Sequence, residues 1–471
     1  MNKQEKIRFF DDAAPARDQW RSRNSNYYRE LLAFFRFVIP KNSSVLEMGS
    51  GTGGLLAELE PKRGLGLDFS PAMTAAAKAA HPALEFRTGD VEALNLDEKF
   101  DYVIMQDLLG CLDDIWLAFR NLHKVTKPDT RLVIISYNPL WEPLVILAEA
   151  AGLKFKNPGQ QNWLAISDIE NLLYLNGYEA VKKGCRFLMP FYIPLLSTFF
   201  NRFLAKMPIL KDLGLIQFIV AREIPSRPKA HEYSVSVMVP CRDEAGNMER
   251  LFNELPKLGK STELVFVDGN SSDGTVEKIR EEAAKHPEIP VKVLLQGGAF
   301  GKADAVRKGF DVCSGEVLMI LDADLTVIPE DLKKFYAAIA EGKGEFINGS
   351  RLVYPMEKGA MRFLNMLGNK TFSLIFTWTL GQRIKDTLCG TKVLLRANYE
   401  RIKAGRAYFG DFDPFGDFDL LFGASKLNLK ITELPVSYRE RKYGVTKISR
   451  FRHGLLLFRM AFIAFIKLKL R

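Results

Sequence analysis

Cysteine is scarce and unpaired in this chain of 471 residues: the five, Cys111, Cys185, Cys241, Cys313 and Cys389, lie far apart and include no CxxC. That spacing argues against a disulfide scaffold and a structural zinc site, and it suits a reducing compartment. No uninterrupted apolar run reaches the ~18–20 residues that cross a bilayer, so no transmembrane helix is expected. The opening MNKQEKIRFFDD is polar, so no secretory signal is read. Internal repeats and low-complexity tracts are missing too, which excludes collagen-like, solenoid and wholly disordered chains.

What is present is ordinary globular material, 47% hydrophobic and 26% charged, with length for two or three domains of ~150 residues. The net charge of +10 is concentrated. From Arg439 onward ten Lys or Arg face the single acid Glu440. The last stretch, HGLLLFRMAFIAFIKLKLR, mixes these cations with Leu, Phe and Ile. Residues 451–471 are therefore expected to form a basic amphipathic helix on a membrane surface. The stretch is too apolar for a phosphate-only groove, so no nucleic-acid partner is expected. Two further apolar stretches, Phe187–Ile219 and Met361–Leu380, are broken by proline or cations. The first either packs on its domain or meets a lipid-linked molecule.

Ile224–His231 holds two prolines and two charges, Arg227 and Lys229, and behaves as a linker. Strand-like runs alternate with helical ones before it, at Ser44–Met48, Gly64–Asp68, Tyr102–Gln106, Arg131–Tyr137 and Gln217–Arg222. The pattern restarts after it, at Val235–Val239, Glu263–Val267, Val291–Leu295 and Val317–Leu321. Alternation of this kind predicts α/β domains with parallel sheets covered by helices on both faces. The expected division is 1–223, a linker over 224–232, 233–450, and the tail.

In the first domain, VLEMGSGTGG (Val45–Gly54) ends a strand and sets Gly49, Gly51 and Gly53 at alternate positions. This spacing differs from the GxGxxG loop used for pyrophosphate. Acids follow at successive predicted strand ends: Glu47, Asp68, Asp90 and Asp107. They would crowd the edge of a parallel sheet where ligands bind. The segment from about Tyr27 to Glu223 resembles a class I S-adenosylmethionine-dependent methyltransferase with a Rossmann-like sheet. The resemblance implies that Gly49, Gly51 and Gly53 pass under the methionine part of the cofactor. It implies that Asp68 binds the ribose hydroxyls and that Asp90 and Val91 hold the adenine, with Glu47 and Asp107 completing the cofactor-binding set. Trp141, Gln160, Gln161 and Trp163 fall where such enzymes add acceptor contacts. His81 reads as a helix end and His123 as structural.

In the second domain VLMILDADLT (Val317–Thr326) ends a strand in Asp322 and Asp324, a pair able to hold Mg²⁺ or Mn²⁺. VSVMVPCRDEAGN supplies Pro240, Asp243 and Glu244. ELVFVDGNSSDGT supplies Asp268 and Asp273, and GGAFGKADAVRKGF sets Lys302 at a helix start, suited to a diphosphate. The order of these segments resembles a family-2 glycosyltransferase of the GT-A fold over about Ser234–Lys447. NGSR, DTLCGTK, GDFDLL and RKYGVTK further resemble the polyprenyl-phosphate glycosyltransferases.

The resemblance implies a nucleotide-sugar donor held by Pro240, Glu244, Asp268, Lys302, Asp322, Asp324 and Arg351, with the metal on Asp322 and Asp324. It implies an acceptor phosphate on Arg362, Arg441 and Lys447. Asp324 and Lys302 would serve catalysis, and Asp419 would be the base if the acceptor were a hydroxyl, with Asp417 as fallback. The expectation is a bifunctional enzyme, cytoplasmic and peripheral on the inner face of a membrane. It would transfer a sugar to a lipid phosphate and methylate a glycan or lipid-linked substrate. The alternatives are sugar transfer to a hydroxyl of a soluble or polymeric glycan, with the first domain only sensing S-adenosylmethionine.

Overall fold

The computed structural model describes residues 1–155, 161–225, 232–298, 301–351, 363–410, 416, 418–441, 443 and 450–470. Gln160, Arg362, Asp417 and Lys447 lie outside the described residues. The chain divides into two units, at Ser226/Arg227.

The first unit is built on a sheet ordered β3-β2-β1-β4-β5-β7-β6. Its strands are β1 Ser44–Met48, β2 Arg63–Asp68, β3 Glu85–Thr88, β4 Tyr102–Gln106, β5 Arg131–Tyr137, β6 Tyr178–Arg186 and β7 Ile216–Glu223. Successive side chains of a strand point to opposite faces, and here both faces are covered. Leu46, Met48, Val103, Met105, Leu132 and Ile134 pack into one core. Val45, Tyr102, Ile104, Val133 and Ile135 pack into the other. This explains the near-continuous apolar runs that made these strands readable.

The second unit has a sheet ordered β10-β9-β8-β11-β13-β12-β14. Its strands are β8 Ser234–Cys241, β9 Ser261–Asp268, β10 Val291–Leu295, β11 Val317–Ile320, β12 Phe346–Ser350, β13 Lys392–Leu395 and β14 Ile431–Pro435. Val235, Val237, Val239, Leu264, Phe266, Val317 and Met319 form one face of its core.

Neither sheet is wholly parallel, which corrects the expectation. β7 runs antiparallel to both β5 and β6, and β13 runs antiparallel to β11 and β12. The strands that carry the motifs do run parallel, β3-β2-β1-β4 in the first sheet and β10-β9-β8-β11 in the second.

Among the described residues no helix is long and apolar enough to cross a membrane. The apolar stretch 361–380 forms the helix Phe363–Leu380, and the chain end forms the helix Arg450–Ala464. The two pack together through Phe372 and Phe458, and Trp378 stacks on Phe465, the residue just past the terminal helix. The terminal helix buries Leu457, Met460, Ala461 and Ala464, yet Leu455, Phe458 and Phe462 stand exposed. Its outward side thus carries apolar residues together with the exposed Arg459.

Candidate active sites

The acidic series of the first unit converges at the carboxyl edge of its sheet. Asp68 is the last residue of β2, Asp90 follows β3, and Asp107 follows β4 in a left-handed conformation. Gly49, Gly51, Asp68, Asp90, Val91 and Asp107 all line a cavity of ≈ 540 Å³. Gly51 has φ +51°, and a Cβ added there would meet no protein atom within 4 Å. The loop thus leaves open space above its backbone, the space a ligand lying on it requires. At Gly53 a Cβ would lie 2.4 Å from the Phe86 ring, so the absence of a side chain there also serves packing.

The Asp68 carboxylate accepts from the backbone N–H of Gly51 (2.8 Å) and of Ser70 (2.9 Å). These bonds fix its orientation, and burial still pushes its pKa upward against them. Glu47 is 3% exposed and accepts from the Leu56 N–H at 3.2 Å. Burial pushes its carboxyl up to about 8, with the Arg21 charge opposing. Asp107 is likewise raised by burial, against Lys154 and Arg17.

The sequence reading missed the helix Lys3–Arg23. It buries only Lys6 and Ala14 and is tied to the cofactor-side loops by polar contacts. Lys3 pairs with Asp90 at 2.6 Å and with Glu92. Lys6 pairs with Asp113 at 2.6 Å. Asp11 accepts from the Ala72 N–H at 3.1 Å, and Asp18 accepts from the Thr52 hydroxyl at 2.6 Å. Lys3, Lys6, Phe10, Arg17 and Trp20 line the cavity. No apolar periodicity marks this helix, so nothing in its pattern announced a contact. His81 caps the helix Pro71–Ala80, and His123 stacks on Tyr178 and contacts Glu223 and the Asn176 carbonyl, both structural roles. Trp141 lines the cavity and donates to the Leu213 carbonyl. Trp163 is partly buried against the core instead.

In the second unit the carboxyl ends of β8, β9 and β11 bring Glu244, Asp268 and the Asp322–Asp324 pair to one edge. Lys302 opens the helix Lys302–Val312 and its ammonium lies 2.6 Å from Asp322. Burial alone would raise the Asp322 pKa; Lys302, with Lys392 and Arg351, more than offsets it and holds it below the ordinary value. Asp324 accepts from the Thr326 N–H (3.1 Å) and hydroxyl (2.9 Å) and pairs with Arg441. Arg441 also reaches Glu244 at 3.2 Å. Asp268 accepts from the Ser271 N–H at 3.0 Å. Pro240 sits in β8 beside Val267 of β9.

Two carboxylates one residue apart, both reached by cations, suit a hard divalent ion that shares its remaining positions with diphosphate oxygens. Among the described residues no cluster of three or more metal-ligating side chains occurs.

Arg351 is paired within the protein. It forks onto the buried Asp386 at 2.7 and 2.8 Å, and its N–H also donates to Asp386. Burial would raise the Asp386 carboxyl, but this guanidinium holds it at about 2. Asp419 is 3% exposed and pairs with Arg406 (2.7 Å) and Arg307 (3.3 Å).

One residue of the DTLCGTK motif carries more weight than its sequence suggested. A Cβ on Gly390 would lie 2.0 Å from Asp322 Oδ2 and 2.6 Å from Lys302 Nζ. Only a glycine backbone can approach the Asp322–Lys302 pair this closely.

Comparison with known proteins agrees with this division. Residues 20–183 match the family model "Methyltransferase domain", and residues 236–401 match "Glycosyl transferase family 2". The first part of the chain is thus similar to methyltransferase domains and the second to family-2 glycosyltransferases. The chain is 40% identical over 221 residues to a dolichol-phosphate mannosyltransferase of Pyrococcus furiosus, an alignment covering 45% of this chain and 59% of that protein. It is 26% identical over 220 residues to an undecaprenyl-phosphate 4-deoxy-4-formamido-L-arabinose transferase of Pectobacterium carotovorum, covering 46% of this chain and 63% of that protein. The chain thus spans less than two thirds of either relative. Among solved structures it matches an S-adenosylmethionine-dependent methyltransferase of Thermotoga maritima at 18% identity and a TM-score of 0.36, covering 45% of this chain and 98% of that one.

Proposed function

We propose that the second unit transfers a sugar from a nucleotide donor to a polyprenyl phosphate, and that the first unit methylates a glycan or lipid-linked molecule using S-adenosylmethionine. The observation that carries the glycosyltransferase reading is the cluster of Lys302, Asp322, Asp324, Arg441 and Glu244 at one sheet edge. The relatives' lipid-phosphate acceptors support the choice of acceptor.

Asp322 and Asp324 would hold Mg²⁺ or Mn²⁺ once the nucleoside diphosphate arrives, and the ion would neutralise charge on the leaving diphosphate. Lys302 at its helix N-terminus would then turn from Asp322 to the phosphates. Arg441, bridging Glu244 and Asp324, is placed to exchange a carboxylate for an acceptor phosphate, which its guanidinium fork suits. An ionised phosphate needs no base. The Asp419 carboxylate, held by two arginines, fits a structural task better than proton abstraction, which favours the phosphate acceptor over a hydroxyl. The exposed Leu455, Phe458 and Phe462 support a peripheral position on a membrane surface, and the reading places the protein on its inner face.

In the first unit Asp68 would take the ribose hydroxyls, and the loop at Gly49 and Gly51 would carry the methionine part. Equilibrium dialysis separates the two readings. Labelled S-adenosylmethionine should bind and be lost in Asp68→Ala, while Mn²⁺-dependent binding of nucleoside diphosphates should be lost in Asp324→Ala, each variant sparing the other ligand. Loss of both ligands in either variant contradicts two independent sites.

A further inference from the structure

The cavity of the first unit is larger in character than a cofactor cleft. Its lining includes the glycine loop, Asp68 and Asp90, and also the apolar side chains Leu144, Leu147, Leu153 and Phe191. Those four side chains line the cavity and are each more than half exposed, so they form its mouth. Beyond Phe191 the same apolar surface continues through Tyr192, Ile193 and Leu195, the last 88% exposed. A soluble protein seldom leaves such a patch uncovered unless something apolar uses it.

Two polar atoms on residues that line the cavity, the Tyr27 hydroxyl and Asp107 Oδ1, are shielded from solvent and make no hydrogen bond of good geometry, although Tyr137 lies beside Tyr27 and the charges of Lys154 and Arg17 face Asp107. Orphaned buried polar atoms are costly unless a ligand or water satisfies them. One is a carboxylate oxygen, which only accepts; burial keeps the other protonated by pushing the Tyr27 pKa well up. A single group that donates to Asp107 and accepts from Tyr27 satisfies both. A hydroxyl does this, whereas a protonated amine has no lone pair to accept with.

We propose that this cavity is the acceptor site of the methyltransferase unit and takes an amphiphile: a hydroxyl head between Tyr27 and Asp107, and an apolar chain leaving over Leu144, Leu147 and Phe191. The proposal rests on the reading that S-adenosylmethionine occupies the glycine-loop end, and it moves Asp107 from the cofactor to the acceptor.

The test uses the full chain and calorimetry with n-decanol, decylammonium and glycerol as probes, alongside dialysis with labelled S-adenosylmethionine. Decanol should bind saturably and glycerol should not. Decylammonium should bind about tenfold more weakly than decanol. Leu147→Asp and Tyr27→Phe should each weaken decanol by about tenfold and leave S-adenosylmethionine binding as it is. Glycerol binding as well as decanol does, unsaturable decanol, or a Leu147→Asp variant that binds decanol normally would each overturn the proposal. If the wild-type chain binds decanol as expected but no S-adenosylmethionine, the cofactor reading fails and the amphiphile site stands on its own.

Discussion

At the scale of single residues, two positions carry consequences that chemistry alone dictates. Gly390 is the backbone on which the Asp322–Lys302 pair rests, and a methyl group would overlap both partners. Gly390→Ala should therefore abolish sugar transfer, by about a hundredfold or more for a loss of ~3 kcal/mol, while circular dichroism stays native. Retained activity would show that the pair can shift freely.

Glu47 is the second. Its carboxyl has a folded-state pKa of about 8 against an ordinary 4.5. The folded state keeps a proton that the unfolded state releases, so no penalty exists below pH 4.5 and stability falls as pH rises from there to about 8. Glu47→Gln removes this dependence. Thermal unfolding of the first unit should be shifted upward at pH 8, by an amount on the order of a few kcal/mol, and little changed at pH 4.5. An equal shift at both pH values would contradict the burial argument. The surroundings of neither residue were legible in the sequence: Gly390 stood as one letter of a motif and Glu47 as one acid of a series, because the sequence does not show what a residue is packed against.

At the scale of elements, the buried parallel strands were readable because both of their faces are apolar. β12, β13 and β14 were not read, being only 5, 4 and 5 residues long, with polar positions interrupting β12 and β14. The antiparallel β7 was found as a strand but not as a reversal, since direction depends on the connection and not on the strand's own residues. The helix Lys3–Arg23 was missed for a related reason: it is held by ion pairs, and ion pairs leave no periodic trace. Those pairs are partly exposed, so salt should weaken them. Amide exchange of Lys3–Arg23 should accelerate in about 0.5 M NaCl while β1 stays protected. Deleting residues 2–23 should weaken S-adenosylmethionine binding, because the helix forms one wall of the cavity. Exchange that is insensitive to salt would mean that Phe9 and Phe10, through their ring contacts with Phe155 and Phe69, hold the helix instead.

At the scale of the whole molecule, the arrangement legible in the sequence was the succession of two α/β units with their motifs at the carboxyl ends of parallel strands. The sugar, the methylated atom and the lipid were not, since each depends on cavity shape. The basic, apolar chain end was read as a surface helix; it packs on the helix Phe363–Leu380 and still leaves apolar residues outward.

The central claim, a sugar moved to a lipid phosphate, is tested most directly by label transfer. Purified protein is incubated with undecaprenyl phosphate in detergent, Mg²⁺ or Mn²⁺, and a panel of labelled nucleotide sugars. Label from one donor should enter the lipid fraction with wild-type protein and with Asp419→Asn, and should stay out with Asp324→Ala. Hydrolysis of a donor without lipid label, or lipid label that persists in Asp324→Ala, would contradict the account.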